Sequence, residues 1–151
     1  MTATSTGADQ ACHILIVDDN EMGLLARKQV LRELGHRVTV VSSAREAIKR
    51  FTSEQFDLVV TDYKLPDMDG VEVIRRARAH KPEIPVVLIS GFTHALGLSE
   101  STTGADVVLQ KSATEVSQLI RAVNRLLRRN ATPRKRVAPQ KKSVAASRRA
   151  G

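Results

Sequence analysis

Five short apolar runs, rich in β-branched residues and spaced along the first 110 positions, constrain this chain more than any other feature. They fall at residues 13–17 (HILIV), 38–41 (VTVV), 58–60 (LVV), 86–89 (VVLI) and 107–109 (VVL). Each is nearly continuous rather than alternating, as expected of strands covered on both faces. Between them lie stretches of helical character. The first spans about residues 21–34 and stops at Gly35. The second, third and last open with Ser43-Ala44-Arg45-Glu46, Asp69-Gly70-Val71-Glu72 and Ser112-Ala113-Thr114-Glu115, each pairing an N-cap residue with an acid three positions on. The fourth, around residues 93–102, is the weakest, with Gly97 and several Ser and Thr residues. Strand and helix therefore alternate five times, which predicts an α/β fold: a doubly wound parallel sheet of five strands with five helices on its two faces.

Composition supports a single domain with a tail. The chain has 151 residues, 42% apolar and only 3% aromatic, so its core is aliphatic. The net charge of +8 is unevenly placed. Of the 24 Lys and Arg residues, nine lie from Arg128 onward with no acid among them, leaving fifteen bases against sixteen acids before that point. Residues 130–151 thus read as a disordered basic tail, and residues 1–11 as a disordered N-terminus, flanking a folded unit at 12–129. No apolar run approaches the length of a membrane span, and residues 1–10 carry no apolar leader segment. The single cysteine, Cys12, excludes an internal disulfide and fits a reducing, cytoplasmic setting. It opens a strand and is expected to be buried and inert.

In an open α/β sheet, ligands gather outside the carboxyl ends of the strands. The residues that follow the apolar runs are accordingly the informative ones: Asp18 and Asp19 after the first, Asp62 after the third, Ser90 after the fourth and Lys111 after the fifth. Three carboxylates converging at one edge repel one another. A hard, oxygen-seeking cation such as Mg²⁺ relieves that repulsion. A carboxylate beside a divalent cation, an ammonium and a hydroxyl is equipped to attack a phosphoryl group, whose oxygens the cations and the hydroxyl neutralise. Asp62 is therefore the candidate phosphoryl acceptor. The histidines at 13, 36, 80 and 94 show no metal-ligand spacing and read as structural or surface residues.

The segments ILIVDDN, VVTDYKLPDMDG, VVLISG and GADVVLQKSA together closely resemble the receiver domain of two-component response regulators, over residues 12–129. The resemblance implies a flavodoxin-like sheet with strand order 2-1-3-4-5. It implies phosphorylation of Asp62 by a histidine kinase or histidine phosphotransfer protein. Asp19 would bind Mg²⁺ directly and Asp18 mainly through water, with Asp62 and the Lys64 backbone carbonyl completing the protein's ligands. Ser90 would follow the phosphoryl group and Lys111 pair with it, and the face built by the fourth helix, fifth strand and last helix would change partners. Three positions depart from the family pattern. Val108 replaces the aromatic switch residue. Ser112 replaces the proline after the lysine, which puts the family's cis peptide in doubt. Lys64, two residues past Asp62, brings a cation able to shield or pair with it.

Other functions read less well. An aspartate-nucleophile phosphohydrolase of the haloacid dehalogenase type requires a second Asp two residues after the nucleophile, where this chain has Lys64. The basic tail fits a weak contact with nucleic acid or another polyanion, but it has no aromatics for stacking and no helix-turn-helix signature. With some twenty residues after the last helix, the expectation is a single-domain switch whose only chemistry is its own phosphorylation and dephosphorylation, rather than an enzyme.

Overall fold

The computed structural model of the protein describes residues 11–131. The strands are β1 His13–Val17, β2 Arg37–Val41, β3 Leu58–Asp62, β4 Val86–Ser90 and β5 Val107–Gln110. The helices are α1 Glu21–Glu33, α2 Ala44–Ser53, α3 Gly70–His80, α4 Thr93–Leu96, α5 Glu100–Thr103 and α6 Glu115–Ala131. All strand pairs are parallel and the sheet order is β2-β1-β3-β4-β5. This is the doubly wound sheet in order 2-1-3-4-5 expected from the sequence.

The continuous apolar runs have the predicted explanation. In β1, Leu15 and Val17 face a layer with Ala44, Ala47 and Phe51 of α2 and Val73, Ile74 and Ala77 of α3. Ile14 and Ile16 face the opposite layer, with Leu31 of α1 and Leu119, Val123 and Leu126 of α6. Both faces of the sheet exclude water, so from Ile14 to Val17 neither set of alternating side chains is polar. Burial at this scale, worth roughly 1.5–3 kcal/mol per large aliphatic side chain, holds the sheet edge rigid where polar residues emerge.

Capping fixes where the helices start, although one start differs from expectation. Ser43 accepts a hydrogen bond from Glu46 N at 3.2 Å and Asp69 accepts one from Glu72 N at 3.1 Å, as the capping pattern predicts. Asp67 adds to the first, its carboxylate oxygens receiving Ala44 N at 3.0 Å and Arg45 N at 2.8 Å. The last helix begins later than the Ser112 pattern implies. Ser112 takes the Thr114 N–H on its hydroxyl and the Glu115 N–H on its carbonyl, so the preceding residues form a turn and α6 starts at Glu115. The Glu115 side chain turns into the protein instead of capping.

The weak fourth helix is in fact two, making six helices among the described residues. Gly97 adopts φ +65°, a left-handed conformation that ends α4 after four residues. Ser99 then opens α5 with a reciprocal capping box to Thr102. Of the termini expected to be disordered, 1–11 and 130–151, residues 1–10 and 132–151 lie outside the described residues, while α6 continues two residues into the expected tail, through Ala131. No helix among the described residues is long and apolar enough to cross a membrane. Cys12 is half-buried just before β1, where burial and the nearby Asp57 charge push its thiol pKa up, away from the reactive thiolate.

Candidate functional site

The main-chain ladder runs past the apolar pattern and takes in two of the predicted site residues. Asp62 is the last residue of β3 and pairs with Ile89, and Ser90 is the last of β4, paired with Gln110. Both are backbone members of a hydrogen-bonded sheet, which fixes their side chains more firmly than a loop would. Asp62 is 5% exposed and Ser90 4%.

Loop chemistry then shapes the space around them. Beyond Asp62 the chain folds back on itself through an antiparallel bridge between Lys64 and Asp69, and Gly70 N donates to Tyr63 O at 2.6 Å. This brings the first turn of α3 against the end of β3 so closely that a β-carbon at Gly70 would stand 2.4 Å from the Asp62 carbonyl oxygen. The glycine of the PDMDG turn is thus a packing requirement of the acceptor strand. On the far side, Gln110 donates to Gly91 O at 2.7 Å and accepts from Thr93, fastening the loop after Ser90 to β5. The result is a cavity of about 760 Å³ lined by Asp19, Asp62, Lys64, Ser90 and Lys111, with Leu65 and Phe92 among its apolar walls.

Lys111 supplies the ammonium. Its Nζ donates to Asp62 Oδ2 at 3.2 Å and lies 3.0 Å from Oδ1. Oδ1 receives no properly directed hydrogen bond, and it is buried. The nearby charge attracts this oxygen without using its lone pairs. Burial raises the Asp62 pKa; the Lys111 hydrogen bond works against that, the Asp18 charge adds to it, and Lys111 and Arg27 charges oppose it, leaving the acid above its ordinary value. Ser90 Oγ accepts from Phe92 N at 3.0 Å, so its hydroxyl proton remains available to donate.

Asn20, rather than Asp18 or Asp19, caps α1, accepting Gly23 N at 3.0 Å. The acidic pair is thus not used as the helix cap. One oxygen from each of Asp18, Asp19 and Asp62 lies within 4.8 Å of the others. These are hard oxygen donors carrying three formal charges, and Asp62 Oδ1 has unused acceptor capacity. The donor set fits Mg²⁺. The structure thereby brings together Asp18, Asp19, Asp62, Ser90 and Lys111, with Lys64 at the cavity wall. Of the two lysines it is Lys111, not Lys64, that pairs with Asp62. Val108 is partly buried against the core. No peptide bond among the described residues is cis, the one before Ser112 included.

Two residues at the site escape the strand-end logic. Asp18, wholly buried, accepts Asn20 N on Oδ1 at 2.9 Å and an Arg27 Nη1–H on Oδ2. Arg27 is 4% exposed and donates its Nε–H to Glu115 Oε2 at 2.7 Å. Burial disfavours the guanidinium charge, but the Glu115 hydrogen bond and the charges of Glu115, Asp18 and Asp62 outweigh it and raise the Arg27 pKa.

Known proteins resemble the chain at the level of family, sequence and fold. The family model described as the response regulator receiver domain matches residues 14–124. The chain is 34% identical over 118 residues to the alkaline phosphatase synthesis transcriptional regulatory protein PhoP of Bacillus subtilis, covering 74% of this chain and only 48% of PhoP's length. It is 29% identical over 114 residues to the response regulator receiver protein CpdR of Brucella abortus, covering 76% of this chain and 94% of CpdR. Among solved structures, the response regulator TrrA of Thermotoga maritima, in complex with Mg²⁺ and BeF, superposes with a TM-score of 0.69 at 30% identity, over 77% of this chain and 99% of TrrA.

Proposed function

The chain belongs to the response regulator receiver family, and from that premise we propose that it accepts a phosphoryl group on Asp62 from a phosphohistidine partner and changes its protein contacts as a result. The observation that carries this reading is the Asp62 side chain itself: a buried carboxylate at a strand end, facing a cavity, held by Lys111 on one side and keeping an unused oxygen on the other.

In the proposed transfer, an Asp62 oxygen attacks phosphorus while the phosphorus–nitrogen bond of the donor histidine breaks. The bonding pair leaves with the imidazole, and an acyl phosphate forms on the chain. Lys111 favours the ionised form of Asp62, holds it in place beforehand and then pairs with a phosphoryl oxygen; Ser90 donates its free hydroxyl proton to another. Asp18, Asp19, Asp62 and the Lys64 carbonyl would hold Mg²⁺, which, when bound, neutralises charge on the transferring group.

The partners follow from this chemistry: a histidine kinase or phosphotransfer protein as donor, and a downstream protein on the face formed by α4, α5, β5 and α6. With Val108 where an aromatic ring would couple to Ser90, the change at Ser90 reaches that face through the Gln110 contacts with Gly91 and Thr93. The chain's chemistry is confined to its own phosphorylation and dephosphorylation. Phosphoramidate, a small donor with the same phosphorus–nitrogen bond as phosphohistidine, provides the test. With Mg²⁺ present, phosphorus NMR of the full chain develops an acyl-phosphate resonance; a spectrum without it, or one unchanged in Asp62→Asn, overturns the proposal.

A further inference from the structure

The buried Arg27 lies beside the acidic site but does not line its cavity. It bridges two elements: Asp18 after β1 on one side and Glu115 at the start of α6 on the other. The room for this bridge is specific. A β-carbon at Gly23, one turn before Arg27, would stand 2.9 Å from Asp18 Oδ2 and 3.4 Å from Arg27 Nη1. A glycine, an arginine and a glutamate thus meet to keep one guanidinium against one of the three site carboxylates.

We propose that Arg27 is the resident cation of the acidic site, holding Asp18 in the metal-free protein and competing with Mg²⁺ for it. The inference rests on the Mg²⁺-dependent reading above. Asp18, Asp19, Asp62 and Glu115 contribute four negative charges against two positive ones on Lys111 and Arg27, so the net charge does not decide the matter; the contact does, because Glu115 meets the guanidinium at Nε while Arg27 Nη1 touches Asp18. An arriving dication therefore meets a carboxylate that already has a cation against it and both oxygens engaged. Glu115 keeps the guanidinium from leaving for solvent. Two consequences follow. The three carboxylates sit together without a metal, so the acceptor site is formed before Mg²⁺ arrives. Mg²⁺ binds weakly, because it must share or displace an ion pair. Arg27 is a positioning residue here: it touches Asp18, not the phosphoryl group.

Isothermal titration of the full chain with MgCl₂ tests this directly. The variants are Arg27→Leu/Glu115→Leu, which exchanges the buried pair for apolar groups, and Arg27→Lys, which keeps the cation. The double variant is expected to bind Mg²⁺ about tenfold or more tightly than wild type, since an opposite charge within a few ångströms shifts a carboxylate's equilibria by roughly one to three powers of ten. Arg27→Lys stays near wild type. In parallel, saturating Mg²⁺ raises the melting temperature of the double variant more than that of wild type. If the double variant fails to fold by circular dichroism, Arg27→Gln against Arg27→Lys gives the same contrast, neutral against charged. Equal Mg²⁺ affinity in wild type and the neutral variants overturns the competition while leaving the phosphoacceptor reading intact. Absence of Mg²⁺ binding in every variant overturns both.

Discussion

Replacing Gly70 with alanine tests whether the acceptor strand and α3 are packed as tightly as the structure indicates. The added methyl would meet the Asp62 carbonyl oxygen at 2.4 Å, Leu88 Cδ1 at 2.8 Å and Tyr63 Cα at 3.1 Å. Ordinary carbon–oxygen contacts begin near about 3.3 Å, so the helix start or the strand end must move by about 1 Å. Two of the three obstacles are backbone, and the strand end is tied to β4 by Tyr63 N to Ile89 O at 2.8 Å. Side-chain rotation cannot relieve the clash. Overpacking of this kind costs roughly 1–3 kcal/mol, and the upper end applies where backbone must shift. Alanine's better helix propensity returns about 1 kcal/mol at most. The net expectation is a loss of about 2 kcal/mol, which for a domain of this size lowers the melting temperature by about 6–8 °C. Urea and thermal unfolding of the full chain, followed by circular dichroism, measure it. Gly91→Ala is the matched control: its β-carbon would find nothing nearer than Lys111 Cδ at 4.0 Å, so its stability stays within about 0.5 kcal/mol of wild type. A Gly70→Ala protein as stable as Gly91→Ala would refute the close-approach argument.

Two further predictions concern charge. Burial holds the Asp62 pKa above its unfolded value, so ionising it costs the fold stability once pH rises past the ordinary carboxylate range. Asp62→Asn should therefore stabilise the chain by about 1 kcal/mol at neutral pH, and the gain should vanish in acid, where Asp62 is protonated in both states; urea midpoints across pH 3–8 (roughly the window that spans both conditions) would show a pH-independent difference if the reasoning is wrong. Asp67 behaves oppositely. Slight burial is outweighed by the Arg45 and Ala44 amides, which lower its pKa, so its capping of α2 is fully present above the ordinary carboxylate range and is lost as pH falls through the lowered value. Asp67→Ala should cost up to about 1 kcal/mol at neutral pH and nothing in strong acid; an undiminished cost in acid would assign the effect to something other than the carboxylate.

What was legible in the sequence follows from which forces are local. The strands could be read because a sheet covered on both faces admits apolar residues in succession, and β1, β3 and β4 do so over residues 14–17, 58–60 and 86–89. Asp18, Asp62, Ser90 and Lys111 could be read because parallel strands deliver their ends to one edge. The division of the fourth helix was less legible, since Gly97 and the Ser99–Thr102 capping box act over only a few residues and the stretch has no apolar stripe to define an axis. Arg27 and Glu115 were missed for a different reason. Each holds an inward helical position, Arg27 between Leu24 and Leu31 on α1 and Glu115 one turn before Leu119 on α6. A charge on an apolar stripe is a signal, but its meaning depends on two helices, far apart in the chain, packing on the same face of the sheet. Glu115 was also masked by a plausible local role, the capping box with Ser112, which the structure assigns to backbone and hydroxyl contacts instead. The tight contact at Gly70 has the same character: the turn was evident, the neighbour it must avoid was not.

The account stands on Asp62 as the phosphoryl acceptor, and intact mass measurement addresses that most directly. The full chain and Asp62→Asn would each be incubated with acetyl phosphate and Mg²⁺ and weighed, with beryllofluoride binding as the control for rapid self-hydrolysis. The account predicts one added phosphoryl group on wild type, none on Asp62→Asn, and loss of the adduct when EDTA is present from the start. A wild-type chain that neither gains mass nor binds beryllofluoride, or an Asp62→Asn chain that is phosphorylated equally well, would contradict it.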